Sequence, residues 1–312
     1  MRDCADTACW GNWADLQPNP SIQPYSLSAA GNQKQLMFKA QNSPRRQVLI
    51  LAIFTGLYFP VLGADSSSAG EATSWGSLRG RITISESPEP PVTLEITRDE
   101  EVCGDLGLTD ESLMVNADNR GVRHVAIWLD SRTAVPIHPE LAGQTGKPVI
   151  VDNKGCRFEP RMSAVQVGQP VHFSNSDSIA HNVAVFARRN QPFSEIVPAS
   201  QPLEKTFPKS ELLPIRIDCS IHAWMKSWLI ITEHPYVAIT DENGNFEIRN
   251  IPAGEWKFRF WHERPGNIRQ LVRDGSELTL EKGALTLSIN SELSTDLGDL
   301  VVSTAQFATK KK

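Results

Sequence analysis

The residues of this chain best equipped for chemistry are two histidines, a cysteine and a methionine. His181 sits in Ser178-Ile-Ala-His181-Asn-Val183, and downstream Cys219-Ser-Ile-His222-Ala-Trp-Met225 supplies the other three within one short stretch. One thiolate, two imidazoles and a weak thioether are the donors that hold a single copper ion in a trigonal site with a long axial bond. That geometry suits Cu(I) and Cu(II) alike, so little rearranges when an electron moves. The set therefore points to one-electron transfer at one type 1 copper ion. Taken singly, each residue reads as packing or structure, and a buried Cys or Met is often inert. Their joint order and spacing carry the assignment.

Cys219, His222 and Met225 need a tight loop between two strands, and His181 must come from a neighbouring strand at the same end of a sheet. The flanking sequence supplies such strands. From Gly76 onward, short apolar-alternating runs are separated by Pro, Gly, Asn and Asp, with no amphipathic helix longer than two turns. Strands are expected at Leu78–Ile84, Val92–Ile96, Val122–Leu129, Val149–Val151, Ala164–Val167, Val171–Ser174, Asn182–Phe186, Ile215–Cys219 and Trp228–Thr232. Asn175 to Ser178 reads as a polar loop that delivers His181 at a strand's beginning. Leu106–Asn119 and Ala187–Pro214 read as irregular or short-helical excursions. The chain is expected to be all-β, built of two-sheet sandwiches.

A second unit begins near His234. Thr240-Asp-Glu-Asn-Gly244-Asn-Phe246-Glu-Ile248 places Asn-Gly between alternating runs, the strongest short hairpin signal. Asn250-Ile-Pro252-Ala-Gly254 then turns into Trp256-Lys-Phe258-Arg-Phe260. T-D-x-x-G-x-F followed by I-P-x-G-x-W resembles the carboxypeptidase regulatory-like, transthyretin-like β-sandwich, over residues 235–303.

In the first unit, Asn175-Ser-Asp-Ser-Ile-Ala-His181-Asn-Val183 resembles the N-x5-H-N-V segment of plastocyanin-type cupredoxins, and C-x2-H-x2-M is the short ligand loop of the amicyanin kind. The resemblance implies a Greek-key cupredoxin sandwich, assigned to residues 76–233, with copper on His181, Cys219, His222 and Met225. It also implies that Asn182 ties the ligand loop by hydrogen bonds near Ser220, which restrains the thiolate. The electron is expected to leave through the edge of His222, emerging in an apolar docking patch of Ala180, Ala223 and Trp224, with Pro198 or Pro214 nearby. By the same resemblance the partner is a redox protein such as a c-type cytochrome or a dehydrogenase. Trp224 is a departure from the family pattern and adds bulk beside Met225.

Composition excludes several other classes. With 40% hydrophobic and 21% charged residues the chain is an ordinary globular one. Its 31 basic and 36 acidic residues give a net charge of −5 and no basic field for nucleic acid; the one charge run is Lys310-Lys311-Lys312. Val48 to Leu62 is an apolar run of about fifteen residues, short for a bilayer span and suited to a secretory h-region. Arg45 and Arg46 precede it and Gly63-Ala64 offers a cleavage point. Residues 1–64 are thus expected to be a leader, with the working start at Met37, and the mature chain to be exported, periplasmic or extracellular. Membrane contact is expected only through an uncleaved leader.

Cys4 and Cys9 leave with that leader, so Cys103, Cys156 and Cys219 remain. In an oxidising compartment two of the three should pair. Cys103 with Cys156 is the natural pair, worth roughly 4 kcal/mol through the constraint on the unfolded chain, and Cys219 is left for metal. The rival pairing, Cys219 with either of the others, would abolish the site.

No Gly-x-Ser-x-Gly turn, His-Glu-x-x-His helix or phosphate-binding glycine loop competes. A four-ligand copper also leaves no open position for substrate, so an electron carrier is expected rather than an enzyme. Two other functions stand beside it: copper storage or delivery, and a structural two-sandwich surface protein without functional copper. Among the remaining histidines, His124 and His172 fall within strands and His138 in a loop. His234 and His262 read as packing or hydrogen-bonding groups near the domain junction, with a second metal site at His234, His262 and Glu263 as the alternative. Residues 304–312 read as a tail.

Overall fold

The computed structural model describes residues 74–199 and 201–308. The expected leader at 1–64, the expected start at Met37 and the terminal lysine run lie outside them. Two strands come first, β1 (Trp75–Ile84) and β2 (Ala126–Leu129), separated by a long irregular stretch that carries α1 (Glu100–Cys103) and one 3-10 turn. A second group follows: β3 (Val149–Asn153), β4 (Phe158–Glu159), β5 (Met162–Gln166), β6 (Pro170–Asn175), β7 (His181–Val185), β8 (Phe193–Val197), β9 (Leu203–Thr206), β10 (Ile215–Asp218) and β11 (Lys226–Thr232). The last group is β12 (Val237–Ile239), β13 (Asn245–Pro252), β14 (Gly254–His262), β15 (Gly266–Asn267), β16 (Gln270–Arg273), β17 (Ser276–Thr279), β18 (Ala284–Ile289) and β19 (Ser294–Val302). The expectation of an all-β chain holds.

The middle group forms its own sandwich. One sheet has the order β5-β11-β10-β7-β8 and the other β4-β3-β6-β9. β6 alternates strictly, with Val171, Phe173 and Asn175 turned inward, and β7 is buried at all five positions. Between the sheets lie Val151, Phe158, Phe173, Val183, Val185, Ile217 and Leu229, in one core with Cys219 and Met225.

The outer strands make the other sandwich, and they come from both ends of the described chain. β1 pairs antiparallel with β13 and parallel with β19, while β2 lies between β12 and β14. Leu78, Ile82 and Ile127 from the first group share a core with Phe246, Phe258 and Leu300 from the last. This corrects the expected division into 76–233 and 235–303: the middle sandwich, 149–232, is inserted into the other one. The reason is burial. β2 is apolar on both faces: Ile127 and Leu129 enter the outer core, while Ala126 and Trp128 meet Met162, Ile230 and Trp261 in a layer shared by the two sandwiches. Beside that layer Arg161 forks onto Glu263, Nε to Oε1 at 2.7 Å and Nη2 to Oε2 at 2.9 Å, and also reaches Glu111 at 3.7 Å.

Other local expectations also change. Val92–Ile96 forms no strand beyond a bridge from Thr93 to Thr109. Ala187–Pro214 holds β8 and β9, whose mixed polar sequences hide them; they pair with β7 and β6. The Asn243-Gly244 turn is real, with Gly244 at φ 80°. It joins strands of two different sheets, though, and not a hairpin, and a Cβ on Gly244 would stand 2.2 Å from the Ile82 carbonyl oxygen. Thr304–Phe307 is a 3-10 turn, not a free tail, because Phe307 is buried edge-on against His262.

Candidate metal centre

β7 and β10 run antiparallel, with Val185 opposite Ile217 and Ala184 opposite Asp218, so the start of β7 and the end of β10 lie at one end of the inserted sandwich. His181 is the first residue of β7 and Cys219 follows β10 directly. The loop to β11 is a closed turn: Met225 N–H donates to the His222 carbonyl at 2.9 Å, and Cys219 N–H to the Met225 carbonyl at 3.2 Å. The ligand-capable atoms of His181, Cys219 and His222 consequently lie within 4.8 Å of one another, all three residues buried. Met225 is buried beside Cys219 in the same core.

The approach of His181 is set by a folded loop. Asn175 at the end of β6 donates through Nδ2 to the carbonyls of Ile179 and Val197, and its Oδ1 accepts from Asp177 N–H. The Asp177 carboxylate in turn accepts from Gly155 and Cys156 N–H and from His181 Nε2, the last at 2.9 Å. His222 is held in the same manner from farther away, its Nε2 lying 2.7 Å from Asp99 Oδ2.

These two contacts decide the chemistry of the facing nitrogens. An ionised carboxylate only accepts, so each neutral imidazole carries its proton on Nε2 and keeps a lone pair on Nδ1. The two Nδ1 atoms face each other at 3.0 Å, and the Cys219 sulfur is 3.7 Å from His222 Nδ1. Two lone pairs at that distance repel unless a cation lies against both, and a soft thiolate completes the set. The sulfur also accepts from Asn182 and His222 N–H, each at 3.4 Å. Burial pushes His181 below the usual imidazole range, the neighbouring His222 adds to this, and the bond to Asp177 opposes it. Two nitrogens and a sulfur with Met225 alongside are a donor set that fits copper.

Asn182 Oδ1 accepts from Ser220 Oγ at 2.9 Å and, more weakly, from Ser220 N–H at 3.4 Å, while its Nδ2 reaches Ser194. Cys103 and Cys156 form a disulfide and Cys219 is free. His222 does not emerge at the surface expected for it. Ala180 and Ala223 are exposed and Trp224 is half-buried, but His222 is 0% exposed. Its outer edge is covered by Asp99, because the irregular stretch before β2 is clasped over this end of the sandwich by the disulfide. Leu94, Ile96, Val102 and Leu108 pack around that disulfide with Ile179 and Trp224, and Trp224 Nε1–H donates to the Cys156 carbonyl. Pro198 is exposed and Pro214 buried.

Sequence reasoning missed both carboxylates. Asp177 stood inside the polar loop, four residues before His181, and could have been found by its spacing. Asp99 lies in an ordinary charged stretch, far from His222 in the chain, and carries no local signal. Of the other histidines, His234 accepts from Tyr236 N–H through Nδ1 and stacks on Tyr236. His172 pairs with Glu204, and His138 caps a 3-10 turn. His262 is buried against Phe307 and accepts from Arg264 N–H. Among the described residues no metal-type cluster forms other than His181, Cys219 and His222.

No family model matches the chain, and no curated protein matches it. Solved structures do. An oxidised mutant of amicyanin is 19% identical, over 34% of this chain and 97% of that one, with a TM-score of 0.25. A purple cupredoxin from Nitrosopumilus maritimus is 19% identical over 27% and 97%, with a TM-score of 0.23. A copper-containing nitrite reductase from Thermus scotoductus SA-01 is 24% identical over 33% of this chain, with a TM-score of 0.25, and the match spans 25% of that chain.

Proposed function

We infer that this chain is a cupredoxin-type electron carrier, not an enzyme, with one type 1 copper ion held by His181, Cys219, His222 and Met225. The observation that carries this reading is the pair of imidazoles turned Nδ1 to Nδ1 at 3.0 Å beside a buried, unpaired Cys219. Copper bound there supplies a one-electron couple. The residues supply the rest. Asp177 and Asp99 keep the ring protons on the outer nitrogens, and Asn182 joins the strand of one ligand to the loop of the other three through Ser220. Burial of all three clustered residues excludes water and small substrates, so the centre is built for electrons rather than for chemistry on a bound molecule.

The partner is a redox protein such as a c-type cytochrome or a dehydrogenase. It meets the surface around Ala180, Ala223 and Trp224, whose ring centre lies 5.2 Å from that of His222. Export to a periplasmic or extracellular compartment is supported by the Cys103–Cys156 disulfide and by the leader-like sequence at 1–64.

The test is to add one equivalent of Cu(II) to the full chain and record visible absorption and EPR spectra beside Cys219→Ser. An intense blue thiolate-to-copper band with narrow hyperfine splitting, lost in the variant, is expected. A pale spectrum that the substitution leaves unchanged would refute the reading.

A further inference from the structure

Around His222 the chain builds a support that the ligand loop does not contain. The His222 ring is 0% exposed, and its outer nitrogen is taken up by Asp99 Oδ2 at 2.7 Å. Asp99 sits at the N-terminus of α1 with φ 49°, a left-handed conformation that Asp tolerates better than most residues but that still carries a cost. Its carbonyl accepts from Val102 and Cys103 N–H, at 3.0 and 2.9 Å. Cys103 is bonded to Cys156, and Cys156 N–H donates to Asp177, the carboxylate that holds His181. The two carboxylates on the two outer imidazole nitrogens are therefore tied to opposite ends of one disulfide.

We propose that Asp99 is a positioning residue for the metal centre. It fixes the His222 tautomer with Nδ1 free, aims that nitrogen at the Cys219 sulfur, and places a negative charge behind the imidazole that favours Cu(II) over Cu(I). The proposal rests on reading the cluster as a copper site. A carboxylate behind a ligating imidazole raises the basicity of the ligand and holds its ring, and loss of such a partner weakens metal binding by about 10- to 100-fold. Asp99 also closes the His222 edge to solvent, which makes the ring proton slow to exchange.

Three variants of the full chain separate these effects. Asp99→Asn keeps an acceptor and tolerates the backbone while removing the charge. Asp99→Gly removes the side chain and relieves the backbone at φ 49°. Asp99→Glu restores the charge with a longer reach. In copper-loaded Asp99→Asn, Cu(II) affinity is expected to fall about tenfold relative to Cu(I), read as a reduction potential raised by about 59 mV for a one-electron couple. The blue band should persist, and Asp99→Glu should recover part of the shift. In metal-free protein at neutral pH, nitrogen-15 NMR should show the His222 Nε2–H exchanging at least tenfold faster in Asp99→Gly than in the wild type. An unchanged potential in Asp99→Asn, or equal ring-proton exchange in the wild type and Asp99→Gly, overturns the proposal. If the wild type gave no Cys219-dependent blue band, the copper reading would fall by itself, and the metal-free exchange comparison would still decide whether Asp99 positions His222.

Discussion

Replacing both Cys103 and Cys156 by alanine should destabilise the chain by about 4 kcal/mol, the loop-entropy value for a bridge between residues 53 apart. Alanine is preferred to serine because both cysteines are 0% exposed, and a hydroxyl there would be buried without a partner. The bridge joins the irregular stretch between β1 and β2, two strands of the outer sandwich, to the loop between β3 and β4 of the inserted one. Opening it therefore frees a constraint between the two bodies in the unfolded chain. Urea unfolding of metal-free protein, followed by tryptophan fluorescence, would read the effect as a midpoint lowered by somewhat more than 1 M for a slope of about 3 kcal/mol/M. A loss below about 1 kcal/mol, with the slope unchanged, would refute the argument that this bridge acts on the unfolded chain. Asp99 and Asp177 hang from its two ends, so the same variant should also loosen the His222 ring.

Two further outcomes follow from the junction of the sandwiches. His262 and His124 are held down to about 3, by burial first and then by neighbouring positive groups, among them His124 and Arg264 for His262 and Arg123 for His124. Both are neutral in the fold and take up protons when it opens, so their contribution is present above about pH 6.5 and is lost as pH falls towards 3. Unfolding free energies measured from pH 7 down to pH 4.5 should decline below about pH 6 with these two groups together contributing about 2.7 kcal/mol per pH unit, and His262→Gln should remove about 1.4 kcal/mol per pH unit of that slope. Arg161→Met leaves Glu263, whose side chain is 7% exposed, without its fork. It should cost about 3 kcal/mol in urea unfolding, and an Arg161→Met/Glu263→Leu double variant should cost less than the single one; equal costs would show that the pair is not what holds the two bodies together.

Much of the centre was legible in the sequence because its signals are local. The C-x2-H-x2-M spacing can only be a tight loop, and the alternation of Val171 and Phe173 reports one buried face. The three cysteines after residue 64 make Cys103 with Cys156 the natural pair once Cys219 is reserved for metal, and the structure has that bridge. The insertion was harder to see, although it left a trace. Val125-Ala-Ile-Trp-Leu129 and Trp228-Leu-Ile-Ile231 are continuous apolar runs and not alternating ones, and a strand of that kind is covered on both faces. In β2 and β11 the second cover is the other sandwich, so a run read simply as a strand in fact marked the junction.

What the sequence by itself determined, then, is the candidate donor set and the β character, and it favoured without fixing the pairing of Cys103 with Cys156 that the structure shows. These depend on residue type, short-range spacing and the count of thiols. Only the tertiary structure decided that the strands at 75–84 and 126–129 belong with the C-terminal ones, because sheet pairing joins segments that no local pattern links. It alone also placed Asp99 on His222 and covered the edge expected to be open. A charged residue in an irregular stretch carries no mark of what it will touch, and its role exists only once the disulfide and the packing around it bring the two together.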